Sequence, residues 1–211
     1  MPYPCFMIVD RTAALVLAGG KARRIGGGDK PLLTVGGLPM LASVIAALEI
    51  RPIAISANGD PARFAAFGLP VLSDGEFFAQ GPLAGVLAGL DWAASLGMTA
   101  LLTAPGDTPF LPRGLATWLA HAPSCISSGG HRHHLIALWP VDCAAALRDL
   151  LSVPGPRRVA HFADRIGMRY AEYPVRTGDP FANVNTRDDL ADARAKAGIE
   201  ASRPRIGQEK G

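Results

Sequence analysis

The chain predicts an α/β fold in which a mostly parallel sheet is covered by helices on both faces. Short apolar runs of strand character alternate with longer segments of helical period, the pattern of βαβ units. The composition, 49% apolar and 18% charged over 211 residues, suits one sizeable core and leaves little for a second independent one. A glycine-rich, basic loop opens directly after the first apolar run, and strand exits are where such folds hold ligands.

The strand-like runs are "AALVLA" from Ala13, "IAISA" from Ile53, "PVLSD" from Pro70, "TALLTA" from Thr99 and "LIALWP" from Leu135. Helical patterns fill the intervals near Met40 to Leu48, Asp60 to Phe67, Pro82 to Leu96, Pro112 to Ala120, Asp142 to Leu151 and Arg187 to Lys196. Pro82 and Pro112 suit a helix's first turn, where the missing N–H costs nothing, and so mark two helix starts. No repeat or internal linker interrupts the series. Residues 1–200 read as one domain, and "ASRPRIGQEKG" at 201–211 reads as a flexible tail.

Charge and cysteine usage exclude several classes. The formal charge of +3 comes from basic residues spread along the chain, so nucleic-acid binding is not indicated while a local anion site stays open. Cys5, Cys125 and Cys143 are odd in number, far apart and without CxxC spacing, which speaks against a disulfide framework or a structural zinc. A reduced cytoplasm is the expected compartment. The first twenty residues lack a basic leading segment and are broken by Asp10 and Arg11, so they do not read as a signal peptide. "GPLAGVLAG" carries GxxxG spacing, but Asp91 and Gly97 interrupt its apolar run short of the roughly 20 residues a span needs. A soluble helix packed closely on a sheet is the expectation.

"LAGGKARRIGGGDKP", Leu17 to Pro31, holds five glycines and four basic side chains. It fails the P-loop pattern, because Lys30 follows Asp29 and precedes Pro31, and it fails the G-x-G-x-x-G fingerprint. Bare N–H groups at Gly19 and Gly20 can approach a phosphate or base edge, while Arg23, Arg24 and Lys30 bring charge. A mobile, solvated turn explains the segment equally well on its own. Lysine weighs against that reading, since the chain has four lysines against seventeen arginines.

The same segment, read to Leu33, resembles the L-A-G-G-x-[AS]-x-R-[MI]-G-x-x-D-K signature of the molybdenum cofactor guanylyltransferases, the MobA-type members of the nucleotidyltransferase superfamily. Further matches follow in family order: "SANG" at Ser56, "LSDG" at Leu72, "GPLAGVLAGL" at Gly81, "PGDTPFLP" at Pro105, "GPRRV" at Gly155 and "FANVNTRDDL" at Phe181. The resemblance implies a three-layer α/β/α sandwich of Rossmann-like nucleotidyltransferase type. It implies transfer of GMP from GTP to the terminal phosphate of molybdopterin, with release of pyrophosphate. The nucleophile is then a substrate phosphate oxygen, so the protein needs cations and positioning rather than a Ser, Cys or His nucleophile.

By that resemblance Leu17, Gly19, Gly20, Lys30, Asn58, Asp74 and Asp107 bind GTP, and Arg24, Lys30 and Asp107 act in catalysis. Asp107 carries Mg²⁺; without the resemblance its "GDTP" setting reads as an ordinary turn. Asp74 suits guanine's donors yet serves equally as a turn residue before Gly75. Arg157, Arg158, Asn183 and Asn185 are the molybdopterin candidates, with Asn185 also a candidate to assist the metal. For either asparagine a helix cap before "TRDDL" is an equal alternative, and for the arginines a solvated helix start. Molybdoenzymes and cofactor-transfer proteins are the implied onward partners, with neither nucleic acid nor membrane involved.

Two departures stand out. His133-His134-Leu135 replaces the family's His-Pro, and Ile25 replaces Met, which keeps the apolar character. "HRHH" could hint at transition-metal ligation, but no cysteine or carboxylate completes it nearby, and a polar loop is expected. Two rivals remain: a related transferase using CTP or a sugar phosphate, and a carrier that kept the fold without the chemistry. "LAGG" in place of "LAAG" favours guanine by resemblance.

Overall fold

The computed structural model describes residues 11–19, 28–175 and 178–202, the last four by their backbone only. The chain runs β1 (Thr12–Leu17), β2 (Thr34–Val35), β3 (Leu38–Pro39), α1 (Met40–Leu48), β4 (Ile53–Ser56), β5 (Val71–Leu72), α2 (Pro82–Ser95) and β6 (Ala100–Pro105). It continues through α3 (Leu115–Leu119), β7 (Ser124–Ser128), β8 (His131–Pro140), α4 (Ala144–Ser152), α5 (Val159–Arg165), β9 (Arg169–Glu172) and α6 (Arg187–Ser202). Short 3-10 segments lie at Lys30–Leu32, Pro61–Phe67, Gly75–Phe77 and Val141–Cys143.

Seven strands form one sheet in the order β5-β4-β1-β6-β8-β7-β9, and β2 pairs with β3 apart from it. β8 alone runs against the other six, antiparallel to both β6 and β7, so the expected mostly parallel sheet is what forms. Alternate residues of each strand face opposite sides. Ala14, Val16, Ile53, Ile55, Leu102 and Leu138 pack under α1, α3 and Phe64. Ala13, Leu15, Ala54, Leu101 and Trp139 pack under α2, α4 and α5. These faces make the three layers. Each fully buried Leu, Ile or Phe contributes about 1.5–3 kcal/mol, and both sides of β1 are filled in this way.

The small-residue face of α2 brings that helix against the sheet. A Cβ added at Gly89 would sit 2.5 Å from Leu15 Cδ2 and 2.9 Å from Leu101 Cδ2, and one at Gly85 would sit 2.4 Å from Ser56 Oγ. Only hydrogen fits at either place. The GxxxG spacing is thus a helix-on-sheet contact, and among the described residues no helix is long and apolar enough to cross a membrane.

Several local expectations change. The segment expected as a helix from Pro112 starts only at Leu115, because Gly114 sits at φ 73° and breaks helical continuity. Asp60 to Phe67 winds as a 3-10 segment capped by the Asp60 carboxylate, which accepts from Ala62 N–H at 2.9 Å. The last helix continues past Lys196 to Ser202, through the start of the expected tail; 203–211 lie outside the described residues. "HRHH" is not a loop but the first half of β8, paired with β7 at Ile126↔His133 and Ser127↔Arg132. Cys125 and Cys143 are free and buried, their thiols pushed up to about 12 by desolvation; Cys5 lies outside the described residues.

Candidate active site

The C-terminal ends of β1, β4, β5 and β6 open into one cleft of about 470 Å³, lined among others by Leu17, Gly19, Asn58, Asp74, Asp107 and Asn183. Four parallel strands end side by side there, so one sequence-remote residue from each exit converges on a common space. Pro82 and Gly85 at the start of α2 form one wall. Gly19 has open space where a Cβ would project. Gly20 and Arg24, together with Arg23, lie outside the described residues.

Lys30 and Asp107 form an ion pair, with side chains only 11% exposed each. Lys30 Nζ also donates to Asn185 Oδ1 at 2.8 Å. The second carboxylate oxygen of Asp107, Oδ1, is buried without a hydrogen-bond partner among the described residues. A buried carboxylate oxygen left unpaired is costly unless something positive joins it. Asp107 is held from behind: its carbonyl accepts from Val184 N–H at 2.9 Å, and Thr108 Oγ1 donates to Pro105 O at 2.7 Å.

Asn58 and Asp74 act as one unit. Asn58 Nδ2 donates to Asp74 Oδ2 at 2.6 Å, and Asp74 N–H donates to Asn58 Oδ1 at 2.9 Å. Both amide atoms of Asn58 are therefore used on Asp74, leaving the carboxylate with lone pairs to spare for the cleft. Desolvation pushes the Asp74 carboxyl above its ordinary value, and the Asn58 bond partly offsets this.

Arg63 is a cleft residue that sequence reading missed. It pairs with Asp29, and its guanidinium also donates to the carbonyls of Asp60 and Asn58 at 2.8 and 2.6 Å. It ties the exit of β4 to the residue preceding Lys30. Nothing in "GDPARF" marks that role; it depends on tertiary proximity.

The asparagines lie on the strap that leads into α6. Asn183 lines the cleft, while Asn185 reaches the site through Lys30. Neither caps the helix. Thr186 and Asp189 do so as a reciprocal capping box, Asp189 N–H to Thr186 Oγ1 at 3.1 Å and Thr186 N–H to Asp189 Oδ2 at 2.8 Å. The N–H groups of Asn185 and Thr186 hold the Asp189 carboxyl below its ordinary value. "TRDD" carried this signal in the sequence.

Arg157 is not brought to the cleft lip. Its guanidinium donates to the carbonyls of Leu151, Val153 and Gly155 at the end of α4, and it lines a separate depression with Glu76, Phe77 and Gln80. Arg158 is exposed at the N-terminal cap of α5, consistent with the helix-start reading.

An open α/β sheet with a carboxylate, a lysine and bare glycine backbone gathered at its strand exits defines a nucleotide-handling protein of Rossmann-like architecture. Residues 14–166 match the MobA-like NTP transferase domain, and the chain belongs to that family. It is 53% identical over 184 residues to a molybdenum cofactor guanylyltransferase of Acidiphilium cryptum, covering 86% of this chain and 93% of that relative. A second such relative, from Bradyrhizobium, is 45% identical over 197 residues, covering 88% and 93%. The fold is shared with the molybdopterin-guanine dinucleotide biosynthesis protein A of Archaeoglobus fulgidus, at TM-score 0.67 and 22% identity, over 89% of this chain and 99% of that one.

Proposed function

We propose that this chain is a guanylyltransferase that moves GMP from GTP onto the terminal phosphate of molybdopterin and releases pyrophosphate. Identity of 45–53% to relatives named for that activity, over 86–88% of the chain, supports the reaction. The observation that carries the mechanism is the buried Asp107 Oδ1 beside Lys30, an oxygen with no hydrogen-bond partner among the described residues.

The donor set suits a divalent cation. Asp107 Oδ1 and Asn185 Oδ1 are hard oxygens, and among the described residues no group of three His, Cys, Asp or Glu side chains forms a protein-only cage. A Mg²⁺ ion, which keeps several positions for water and phosphate, fits such a partial set. When bound it would supply charge neutralisation on the triphosphate.

The chain's own residues do the rest. In the free protein Lys30 pairs with Asp107; with GTP in the cleft, its Nζ would serve as a donor to phosphate oxygens. Arg24 is assigned to the same phosphates. Asn58 fixes the Asp74 carboxylate, which accepts from guanine N1–H and N2–H₂ or from ribose, while backbone at Leu17, Gly19 and Gly20 reads the base edge. A terminal phosphate oxygen of molybdopterin, steadied by Asn183, attacks the α-phosphorus in line. The α–β bridging bond breaks, and its electron pair leaves with pyrophosphate. Arg158 can meet the acceptor phosphate as it stands; Arg157 must first leave three carbonyls. The buried free thiols fit a reducing compartment, and we place the activity in the cytoplasm, with molybdoenzymes and cofactor-transfer proteins receiving the product. Incubation with GTP, Mg²⁺ and molybdenum-loaded molybdopterin should yield pyrophosphate and the guanine dinucleotide. A preference for CTP, or no pyrophosphate at all, would overturn the reading.

A further inference from the structure

Three residues outside the cleft lining hold the strap that carries Asn183 and Asn185. Ser128, at the end of β7 and 1% exposed, donates from Oγ to Asp179 Oδ1 at 3.0 Å. His133 Nε2 lies 2.8 Å from the same Ser128 oxygen and 3.3 Å from Asp179 Oδ2. With Ser128 donating to the carboxylate, the Nε2–H form of His133 supplies the complementary donor. Asp179 Oδ1 in turn accepts from Phe181 N–H at 2.9 Å. The Phe181 ring, fully buried, lies 5.2 Å from the His133 ring and 5.0 Å from that of Tyr173.

From Phe181 the strap proceeds to Asn183 at the cleft, Val184 N–H on the Asp107 carbonyl, and Asn185 on Lys30. Its far end is closed by the Thr186–Asp189 capping box. Between the two fastenings the strap has no regular secondary structure. A segment without its own ladder holds one geometry only if both ends are fixed, since each freed residue regains backbone entropy. The near-end clasp uses both faculties of a histidine: a ring face toward Phe181 and a ring N–H toward Ser128 and Asp179. This gives His133 of "HRHH" a function that neither metal ligation nor a solvated loop would.

We propose that His133, acting through Ser128 and Asp179, is a positioning residue that sets the Asn183–Asn185 strap against Lys30 and Asp107. The inference rests on the roles assigned above to those asparagines, and its test is independent of the transfer reaction. Amide hydrogen exchange over residues 178–186 and calorimetric binding of GTP with Mg²⁺ are measured for wild type, His133→Leu, His133→Gln and Asp179→Ala. His133→Leu keeps bulk near Phe181 but has no donor; His133→Gln keeps a donor. Expected are faster exchange at Phe181 and Val184 and about tenfold weaker GTP binding in His133→Leu and Asp179→Ala, the effect of losing roughly one hydrogen bond to a charged group. His133→Gln should recover most of both. Asp179 is on the partly exposed strap, so its removal tests the clasp even where His133→Leu fails to fold. Wild-type exchange and affinity in Asp179→Ala, or faster exchange spread evenly over β7 and β8, would overturn the proposal. Failure of wild type to transfer GMP while these effects appear would instead refute the assigned reaction alone.

Discussion

The two halves of the sheet do different work. In β5-β4-β1-β6 every strand is parallel and every exit contributes to the cleft: Leu17 and Gly19, Asn58, Asp74, Asp107. In β8-β7-β9 the strands are mixed in direction, and their contribution is indirect, a clasp on the strap plus one lining residue, Leu135. Leu135 falls in an irregularity of the β7–β8 ladder, where register jumps between Cys125 and Ile126. Its carbonyl accepts from Thr103 Oγ1 at 2.8 Å, and Trp139 Nε1 donates to that same hydroxyl at 2.8 Å. Bulges often re-aim backbone beside active sites. One half therefore lines the cleft directly, and the other reaches it mainly through the strap.

The largest expected effect breaks the first half at its centre. Asp107→Asn keeps volume and Lys30's hydrogen-bond acceptor but removes the charge, and turnover should fall by roughly 10²–10³, the scale of losing one electrostatic group in an active site. Asp107→Ala should lose stability as well, about 3–5 kcal/mol by urea unfolding, because the buried Lys30 is left uncompensated.

Two glycines on one helix sharpen the contrast between packing and binding. Gly89→Val pushes against Leu15 and Leu101 and should cost about 1–3 kcal/mol of stability with GTP affinity unchanged. Gly85→Ala meets Ser56 Oγ and Leu17 at the cleft wall, so GTP affinity should fall too. Isothermal titration beside thermal melts separates the two outcomes.

Asp74→Asn has the smallest expected effect on stability. The raised Asp74 value means ionisation is disfavoured in the fold. Its stabilising share is complete below the ordinary value of 3.8 and is lost as pH rises through the folded value. At pH 7 Asp74→Asn should be at least as stable as wild type, yet bind GTP several-fold more weakly. A stability loss at pH 7 would contradict the desolvation assignment.

The same division explains what the sequence disclosed. β1, β4 and β6 are buried on both faces and read as continuous apolar runs; in the sequence the glycine-rich segment follows β1 and "PGDTP" closes β6. β7 and β9, "SCISS" and "RYAE", are short and polar, with no alternation to announce them. The start of β8 is polar because its partners are Asp179, Phe181 and Tyr170, which only the tertiary fold brings near. One local signal was readable: Gly129-Gly130, both at positive φ, forms the two-residue turn that joins β7 to β8. Within the site, Lys30, Asp107, Asn58 and Asp74 are nameable from motif residues; Arg63 pairs with Asp29, 34 positions away, and Ser128 with Asp179, 51 positions away, contacts that no local pattern announces.

If Asp107 holds the metal, nucleotide and metal together should separate Lys30 from Asp107. A crystal structure with GTP and Mg²⁺ should show Asp107 Oδ1 on the metal and Lys30 Nζ on phosphate, in the cleft beside Asn58 and Asp74. An intact Lys30–Asp107 pair with GTP bound elsewhere would overturn the assignment of both residues.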